Sequence, residues 1–289
     1  MNPILLARHV QDSLRELVHT TLNSTSPAFE GMVYRFIAEP ANFLKGPWIS
    51  VDMPFRQIDG AKEGTWAQPF PEVPLKFAPY QHQTDAFARL SGAAMRSTLV
   101  ATGTGSGKTE SYLWPILDHC RRNKGKPGIK AILIYPMNAL ATDQARRIAA
   151  AISSIPSLNG LRAGIYADAE PKNATYEVTA DSVITHRETM RRSPPDILLT
   201  NYKMLDYLLL RGRDKTLWAQ NDPETLRFLV VDEMHTFDGA QGADLALLLR
   251  RLKYRLNTPE GHLICVGSSA TLGAGEEAAT ELRRYAETI

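Results

Sequence analysis

The sequence predicts an α/β fold with a parallel sheet covered by helices on both faces, preceded by a small N-terminal accessory segment. From Phe77 onward, short apolar runs alternate with helical patterns, which is typical of strands buried between two helical layers. Glycine-rich and polar motifs directly follow several of these runs. Ligands of parallel sheets bind beyond the carboxyl ends of the strands, so these motifs lie where a binding site is expected. Residues 1–76 lack this alternation, and we place the domain boundary between residues 76 and 77.

The accessory segment begins with a helical pattern. Apolar residues recur at helical spacing from Leu6 to Val18 and predict an amphipathic helix over Leu5–Leu22. Prolines predict an extended connector over Gln68–Pro79, because the residue before a proline is biased away from helix. We expect the segment to form an accessory layer, and simple packing on the main domain is its plainest role.

The main domain, residues 77–289, contains six predicted strands and six predicted helices. The apolar runs that predict strands are Thr98–Ala101, Ala131–Tyr135, Arg162–Tyr166, Ile197–Thr200, Phe228–Val231 and Leu263–Val266. The helical patterns are Gln81–Met95, Gly107–Arg122, Ala139–Ile152, Tyr202–Arg211, Gly242–Leu256 and Glu276–Glu287. A helix after each strand allows all strands to run in one direction, which gives a parallel sheet.

Composition excludes several classes of protein. The 289 residues are 44% hydrophobic and 22% charged, which argues against a disordered or fibrous chain. Cys120 and Cys265 are far apart in sequence, so a disulfide scaffold or a zinc module is not expected and a reducing cytoplasm fits best. No apolar stretch approaches the roughly 18 residues of a membrane span. A net charge of +2 neither indicates nor excludes a nucleic-acid partner.

A glycine-rich segment between the first predicted strand and the next helix has the pattern of a phosphate-binding loop. Its residues are Thr102, Gly103, Thr104, Gly105, Ser106, Gly107, Lys108 and Thr109. Backbone N–H groups of such a loop surround an anion, and the helix N-terminus adds its positive dipole end. Lys108 is expected to reach the β- and γ-phosphates, and the Thr109 hydroxyl to ligate Mg²⁺. Thr102 replaces the first glycine of the general pattern GxxxxGK[ST], which argues against a Ras-like or kinase-like loop. The alternative is a glycine-rich turn without a ligand.

The predicted strand Phe228–Val231 ends in two adjacent carboxylates. Asp232 is expected to hold Mg²⁺, while Glu233 orients and deprotonates the attacking water. Neighbouring residues of an extended chain point to different sides, so the two carboxylates can have separate roles. The alternative is a solvated acidic strand end. His235 is informative only because it follows these two acids.

These two motifs resemble motifs I and II of superfamily 2 helicases of the DExH type. Four further elements follow in that family's order: Tyr80-Gln81-His82-Gln83 with Phe77 upstream (the Q motif), Tyr135–Gln144 (motif Ia), Thr200–Leu205 (motif Ib) and Ser269-Ala270-Thr271 (motif III). The resemblance covers Phe77–Thr271. It implies a RecA-like fold and the cofactors ATP and Mg²⁺.

The resemblance also implies roles for single residues. Tyr80 and Gln83 would bind the nucleotide, with Gln83 reading the adenine edge and an aromatic ring stacking on the base. Motifs Ia and Ib would grip the phosphates of one nucleic-acid strand through Pro136, Asn138, Thr200 and Asn201. For Asn138, a helix N-cap is an equally plain role. His235, Ser269, Ala270 and Thr271 would couple the two sites.

Two longer stretches, Leu198–Leu208 and Asp232–Gly242, resemble large bacterial DNA helicases of the RecQ-like, Mrf-type and Druantia-type phage-defence classes. Gly46–Ser50, followed by Pro54-Phe55-Arg56, is similar to the last of these. The implied partners are DNA, as a single strand or a duplex–single-strand junction, and subunits of a defence system. No membrane partner is expected.

Family motifs IV to VI should follow Thr271, yet only 18 residues remain and none forms a QxxGRxxR-like segment. We therefore expect a second RecA-like domain elsewhere in a longer chain, carrying the arginine finger, and a near-inactive ATPase without it. The leading prediction is an ATP-dependent DNA helicase motor. The alternatives are a duplex DNA translocase without strand separation, a nucleotide-gated DNA-binding scaffold, and an RNA helicase.

Overall fold

The computed structural model describes residues 3–22, 25–39, 43, 54–62, 64–237 and 239–270. The chain divides into two compact units, Met1–Pro54 and Phe55–Ile289. The described part of the first unit contains helices α1 (Pro3–Leu22) and α2 (Met32–Ala38), and α1 confirms the predicted N-terminal helix. Among the described residues, no helix combines the length and apolar character needed to cross a membrane.

The second unit is built on a six-stranded sheet in the order β1-β6-β5-β2-β4-β3, with every pairing parallel. The strands are β1 Thr98–Ala101, β2 Ala131–Ile134, β3 Ala163–Tyr166, β4 Ile197–Thr200, β5 Phe228–Val231 and β6 Ile264–Ser269. The helices are α3 Gln81–Leu90, α4 Lys108–Arg122, α5 Asn138–Ser154, α6 Arg187–Arg192, α7 Tyr202–Leu210 and α8 Gly239–Leu256. All six predicted strands are confirmed. The predicted helix Glu276–Glu287 lies outside the described residues.

Helices cover both faces of the sheet, as the fold class requires. Along β2, Leu133 packs into the cluster that contains residues of α3, α4 and α5. The neighbouring Ile132 packs into the other cluster, with residues of α7 and α8. This alternation, together with complete burial of β2, explains why its sequence is continuously apolar.

The segment Gln68–Pro79 is a folded loop, so the prediction of an extended connector was wrong. The amide of Gln68 bonds to both the N–H and the C=O of Leu75, each at 2.9 Å. Val73 donates its N–H to the carbonyl of Phe70 at 3.0 Å, which closes a turn. Phe70, Val73 and Leu75 are buried in the main core. Prolines restrict the backbone, but burial of the apolar residues between them packs this segment into the core of the second unit, which begins at Phe55.

Two helical details also differ from prediction. Helix α3 ends at Leu90 rather than Met95, where Ser91 is extended and Gly92 has a φ of +80°. The short helix α6 was not predicted because six residues are too few for a periodic pattern. Its N-cap is His186, whose side chain accepts the N–H of Thr189. 

A buried ion pair joins the amino ends of β2, β3 and β4. Lys130 is 2% exposed, and its Nζ donates to Asp196 Oδ1 at 2.6 Å. The other oxygen of Asp196 accepts the backbone N–H of Arg162 at 2.8 Å. The Asp196 carboxylate therefore links the residues that precede three strands, at the edge of the sheet opposite to the predicted site.

We expect Asp196→Ala to lower the free energy of unfolding by about 3–5 kcal/mol, because it leaves the buried Lys130 charge uncompensated. The control is Asp143→Ala, which removes an exposed carboxylate 3.9 Å from Arg146 and should cost less than about 1 kcal/mol. Urea unfolding followed by tryptophan fluorescence measures both. Equal losses in the two variants would contradict a stabilising role for the buried pair.

Candidate nucleotide and nucleic-acid site

The order of the strands brings the predicted motifs to one edge of the sheet. Strand β6 lies between β1 and β5, so the segments that follow these three strands are neighbours. They are the phosphate loop after β1, Asp232 and Glu233 after β5, and Ser269 and Ala270 at the end of β6. Sequence predicted each segment but not that β6 separates the other two.

The phosphate loop has the geometry expected of an anion-binding turn. Gly105 and Gly107 have φ values of +75° and +73°, and α4 starts at Lys108. The Lys108 ammonium donates to the carbonyls of Thr102 at 3.1 Å and Gly103 at 3.2 Å, so it lies across the loop. Gly103, Thr104 and Gly105 are exposed and leave the loop open to a ligand. This arrangement suits the phosphates of a nucleotide.

Inside the loop, two hydroxyls stabilise the turn. Thr102 Oγ1 and Ser106 Oγ are 2.6 Å apart, and Ser106 is completely buried. Thr102, which replaces the usual glycine, therefore contributes a side-chain hydrogen bond that glycine could not make. Because these two hydroxyls are engaged with each other, the structure gives them a supporting position in the predicted nucleotide site.

Helix α3 is tied to the phosphate loop by two side chains. Gln83 is 1% exposed, its Oε1 accepts the N–H of Tyr80 at 2.8 Å, and its Nε2 donates to the carbonyl of Gly107 at 2.9 Å. His82 Nε2 lies 3.0 Å from the carbonyl of Ser106, to which its N–H can donate. Burial lowers the pKa of His82. The structure thus shows Gln83 as a buried tie between helix and loop, while its contact with adenine remains a prediction.

An aromatic cluster lies beside the same loop. The ring of Phe55 is 5.5 Å from that of Tyr80 and 5.8 Å from that of His82, and the rings of Tyr80 and His82 are stacked. Phe55 also lies 3.8 Å from where a Cβ on Gly103 would be. Phe77, the aromatic residue singled out in the sequence, is 51% exposed. Sequence reasoning missed the place of Phe55 because it lies 25 residues before Tyr80.

We expect Gly107→Ala to weaken nucleotide binding by about tenfold, since it strains a left-handed backbone and displaces the tie to α3. The new Cβ would lie 2.5 Å from Gln83 Nε2. The control is Gly125→Ala, at a φ of +89° with open space around the Cβ position. Titration with a fluorescent ATP analogue and thermal unfolding compare the two variants. Unchanged affinity in Gly107→Ala would show that the tie does not shape the loop.

Asp232 is held in a buried, hydrogen-bonded position at the end of β5. It is 5% exposed, and the Ser268 hydroxyl donates to its carboxylate. Ser268 Oγ also accepts the N–H of Glu233 at 3.2 Å. Burial raises the pKa of Asp232 above its ordinary value, the Ser268 hydrogen bond opposes this, and the nearby Glu233 charge adds to it. A bound cation would favour the charged carboxylate.

Glu233 has a left-handed backbone, with φ +49° and ψ +48°. This conformation is unusual for a residue other than glycine and turns the chain sharply after β5. His235 Nδ1 lies 3.4 Å from Glu233 Oε2 and 3.2 Å from Ser269 Oγ. The predicted coupling residue His235 therefore contacts both Ser269 and the predicted base. Ala270 follows Ser269 and is half-buried, whereas Thr271 lies outside the described residues.

The donor set fits Mg²⁺ better than a metal caged by protein. Asp232 and Thr109 would supply hard oxygen ligands, and among the described residues no group of three His, Cys, Asp or Glu side chains could hold a metal. Mg²⁺ is commonly bound by one or two protein ligands together with substrate phosphates.

Of the predicted nucleic-acid contacts, the structure brings two asparagines together. Asn201 caps α7, with its Oδ1 accepting the N–H of Met204 at 2.7 Å, and its Nδ2 donates to Asn138 Oδ1 at 2.8 Å. Asn138 is the first residue of α5 and the N-cap is Met137, so the alternative role of Asn138 as a cap is wrong. Pro136 is half-buried where the chain leaves β2.

The position of Thr200 corrects the prediction that its side chain binds a nucleic-acid strand. It is 1% exposed, and its hydroxyl donates to the carbonyl of Tyr166 at 2.9 Å. As the last residue of a strand that is buried throughout, it uses its side chain to join β4 to β3. Position at a strand end suggested access to a ligand, but the neighbouring strand covers this side.

Two charged contacts were missed in the sequence. Glu110, buried at the start of α4, pairs with Arg147 on α5 and so links the helices that follow the phosphate loop and motif Ia. Asp168, just after β3, accepts hydrogen bonds from both Asn138 and Asn201. In both cases the partners are 30 or more residues apart. No local pattern indicates such pairs.

Comparison with known proteins gives three kinds of similarity. The sequence pattern of the DEAD/DEAH box helicase family matches residues 80–279. Druantia protein DruE of Escherichia coli is 28% identical, and the match covers 69% of this chain and 16% of that protein. The Lhr helicase/probable uracil glycosylase of Mycolicibacterium smegmatis is 33% identical, with 73% of this chain and 13% of that protein covered. The chain thus spans less than a fifth of the length of either relative.

Two solved structures share the fold. The helicase MrfA bound to DNA and AMPPNP superposes with a TM-score of 0.54 at 24% identity, over 72% of this chain and 26% of that chain. The DEAD-box helicase Mss116 bound to ssRNA and UDP-BeF has a TM-score of 0.59 at 16% identity, over 82% of this chain and 44% of that chain. These likenesses confirm the predicted RecA-like fold of the second unit.

Proposed function

Because this chain belongs to the DEAD/DEAH box helicase family, we propose that it supplies the first RecA-like domain of an ATP-driven DNA helicase motor. One observation carries the proposal: the phosphate loop and the Asp232–Glu233 pair follow the two strands that flank β6. Ser268 and Ser269 of β6 contact Asp232 and His235. A nucleotide site and its coupling residues therefore share one edge of the sheet.

Each residue of the nucleotide site has a definite task in the proposal. Lys108 and the backbone N–H groups of the loop bind the β- and γ-phosphates. Thr109 and Asp232 hold Mg²⁺, which when bound neutralises phosphate charge. Glu233 orients the attacking water and accepts its proton. His235 bridges Glu233 and Ser269 and so connects the base to the end of β6.

A nucleic-acid strand is proposed to bind at the same edge of the sheet, beyond β2 and β4, through Asn138 and Asn201. Their side-chain amides lie at the starts of α5 and α7, where the helix dipoles also favour an anion. Such contacts bind the phosphate backbone and predict little sequence specificity. The likeness to MrfA, solved with DNA, supports DNA, whereas Mss116, solved with ssRNA, keeps RNA as the alternative.

The test uses both the 289-residue chain and the same chain joined to its proposed second RecA-like domain. The 289-residue chain should bind ATP and oligonucleotides but hydrolyse ATP very slowly, because the arginine finger is proposed to lie in the second RecA-like domain. Robust DNA-stimulated hydrolysis by the 289-residue chain alone would contradict the need for a second domain. In the longer protein, strand displacement distinguishes a helicase from a duplex translocase, which would displace only a triplex strand. A nucleotide-gated scaffold would show neither activity.

We also propose a more specific function, a role in bacterial antiviral defence. The protein would act in the cytoplasm with further defence subunits as partners. The resemblance to Druantia-type helicases and the similarity to Druantia protein DruE support it. Phage plating on cells that carry the gene with or without an intact Lys108 tests it. Equal plating efficiency would remove this proposal and leave the motor proposal standing.

A further inference from the structure

The two asparagines proposed to bind a strand are both bonded to a carboxylate of the chain itself. Asp168 Oδ2 accepts the Asn138 amide at 2.9 Å, and Asp168 Oδ1 accepts the Asn201 amide at 3.3 Å. These two hydrogen bonds, with Asn138 first, lower the pKa of Asp168, which therefore carries its charge at neutral pH. The amides thus already hold an anion in the absence of nucleic acid.

A carboxylate and a phosphate both accept hydrogen bonds from these amides, since each offers negatively charged acceptor oxygens. Asn201 Nδ2 already uses both of its N–H groups, on Asn138 Oδ1 and Asp168 Oδ1, and the Asn138 N–H that Asp168 accepts cannot donate to a strand phosphate at the same time. We propose that Asp168 is an internal competitor of the nucleic acid, whose carboxylate leaves the two asparagines when a backbone phosphate binds them. The inference rests on the proposed strand site.

The surroundings of Asp168 allow this exchange by rotation of one side chain. Asp168 is exposed, so its carboxylate can turn into solvent. Its backbone is held separately, because Arg187 Nη2 donates to the carbonyls of Ala167 at 2.7 Å and Asp168 at 2.9 Å. The Arg187 guanidinium also lies 5.0 Å above the ring of Tyr166. The peptide therefore stays in place while the carboxylate moves.

The charges around Asp168 suit a phosphate equally well. Lys203 and Arg187 lie close enough to favour the charged form of Asp168. Both positive charges stay in place when the carboxylate rotates away, and their electrostatic attraction then favours a phosphate. The helix caps do not depend on Asp168, because Asn201 caps α7 with its Oδ1 and not with the amide nitrogen that Asp168 accepts. Removal of the Asp168 charge therefore leaves α7 intact.

The experiment measures binding of a fluorescein-labelled oligo(dT) 20-mer to the 289-residue chain by anisotropy at low salt. Asp168→Asn should tighten binding by about fivefold, since it removes a competing anion and its repulsion of the phosphate. The control Asp181→Asn removes an exposed acid elsewhere in the same β3–α6 connection and should change binding by less than about twofold. In an Asn138→Ala background, the gain from Asp168→Asn should fall to about twofold, because only the Asn201 amide is left to be released.

The outcomes separate this inference from the proposed function. Weaker or unchanged binding by Asp168→Asn, with oligo(dT) still bound by the parent chain and weakened by Asn138→Ala, overturns the inference alone. The same gain with and without Asn138 also overturns it, because the effect would then be long-range charge. If neither the parent chain nor Asp168→Asn binds oligo(dT), the proposed strand site fails, and the inference fails with it.

Discussion

Lys108→Ala is expected to weaken ATP binding to this chain by about a hundredfold, because it removes the charged donor that is proposed to bind the β- and γ-phosphates. In the structure its ammonium lies across the phosphate loop, bonded to the carbonyls of Thr102 and Gly103. Those carbonyls are weaker partners than phosphate oxygens, so the lysine is free to change partners when the nucleotide arrives. Titration with a fluorescent ATP analogue measures the loss.

Lys124→Ala is the matched control for this variant. Lys124 also donates to two backbone carbonyls, those of Ser157 and Asn159, but it is exposed and lies in the turn after α4, at the opposite end of that helix from Lys108. Its removal should leave ATP affinity within about twofold. Similar affinities for Lys108→Ala and Lys124→Ala would show that the loop after β1 does not hold phosphates.

Glu233→Gln is expected to leave ATP binding intact and to lower turnover by about a thousandfold in the protein that carries both RecA-like domains. The amide keeps the size and hydrogen-bonding shape of the side chain but cannot accept a proton from water. The left-handed backbone at residue 233 is retained, because glutamine adopts it at the same cost as glutamate. Phosphate release in the presence of DNA measures turnover.

The control for this variant lies at the other end of the same strand. Glu224 is an exposed acid before β5, and Glu224→Gln should leave turnover within about twofold. Normal turnover by Glu233→Gln would remove Glu233 as the base. Loss of ATP binding together with turnover would instead indicate that Glu233 supports the nucleotide site structurally.

Sequence predicted the elements of this fold better than the contacts between them. The bounds of β1, β4 and β5 were predicted to the residue, because short apolar runs between glycine, proline and polar residues leave little choice. The phosphate loop and Asp232 were also singled out from the sequence, since each belongs to a motif of consecutive residues. Such motifs can be identified without knowledge of distant contacts.

The remaining parts of the site depend on distant contacts. Burial of Thr200 depends on β3 pairing with β4, and the tie from Gln83 to Gly107 depends on how α3 packs beside the loop. Phe55 meets Tyr80 where Gln57 pairs with Tyr80 in an isolated bridge. Asp168 meets Asn138 because β4 pairs with both β2 and β3. None of these neighbours can be deduced from spacing along the chain, because the same elements could be arranged in other sheet orders.

The carboxylate of Asp196 at the amino ends of three strands gives the two edges of the sheet different tolerance to change. At that edge, the partners of Asp196 are Lys130 and the backbone N–H of Arg162, both of which belong to the chain itself. At the opposite edge, Lys108, Asn138 and Asn201 hold partners that a ligand is proposed to replace. Substitutions at the exposed Asp168 are therefore expected to be tolerated better than substitutions of Asp196, which leave the buried Lys130 charge unpaired. Engineering of this domain for a new nucleic acid should therefore begin at the carboxyl ends of the strands and keep Asp196 unchanged.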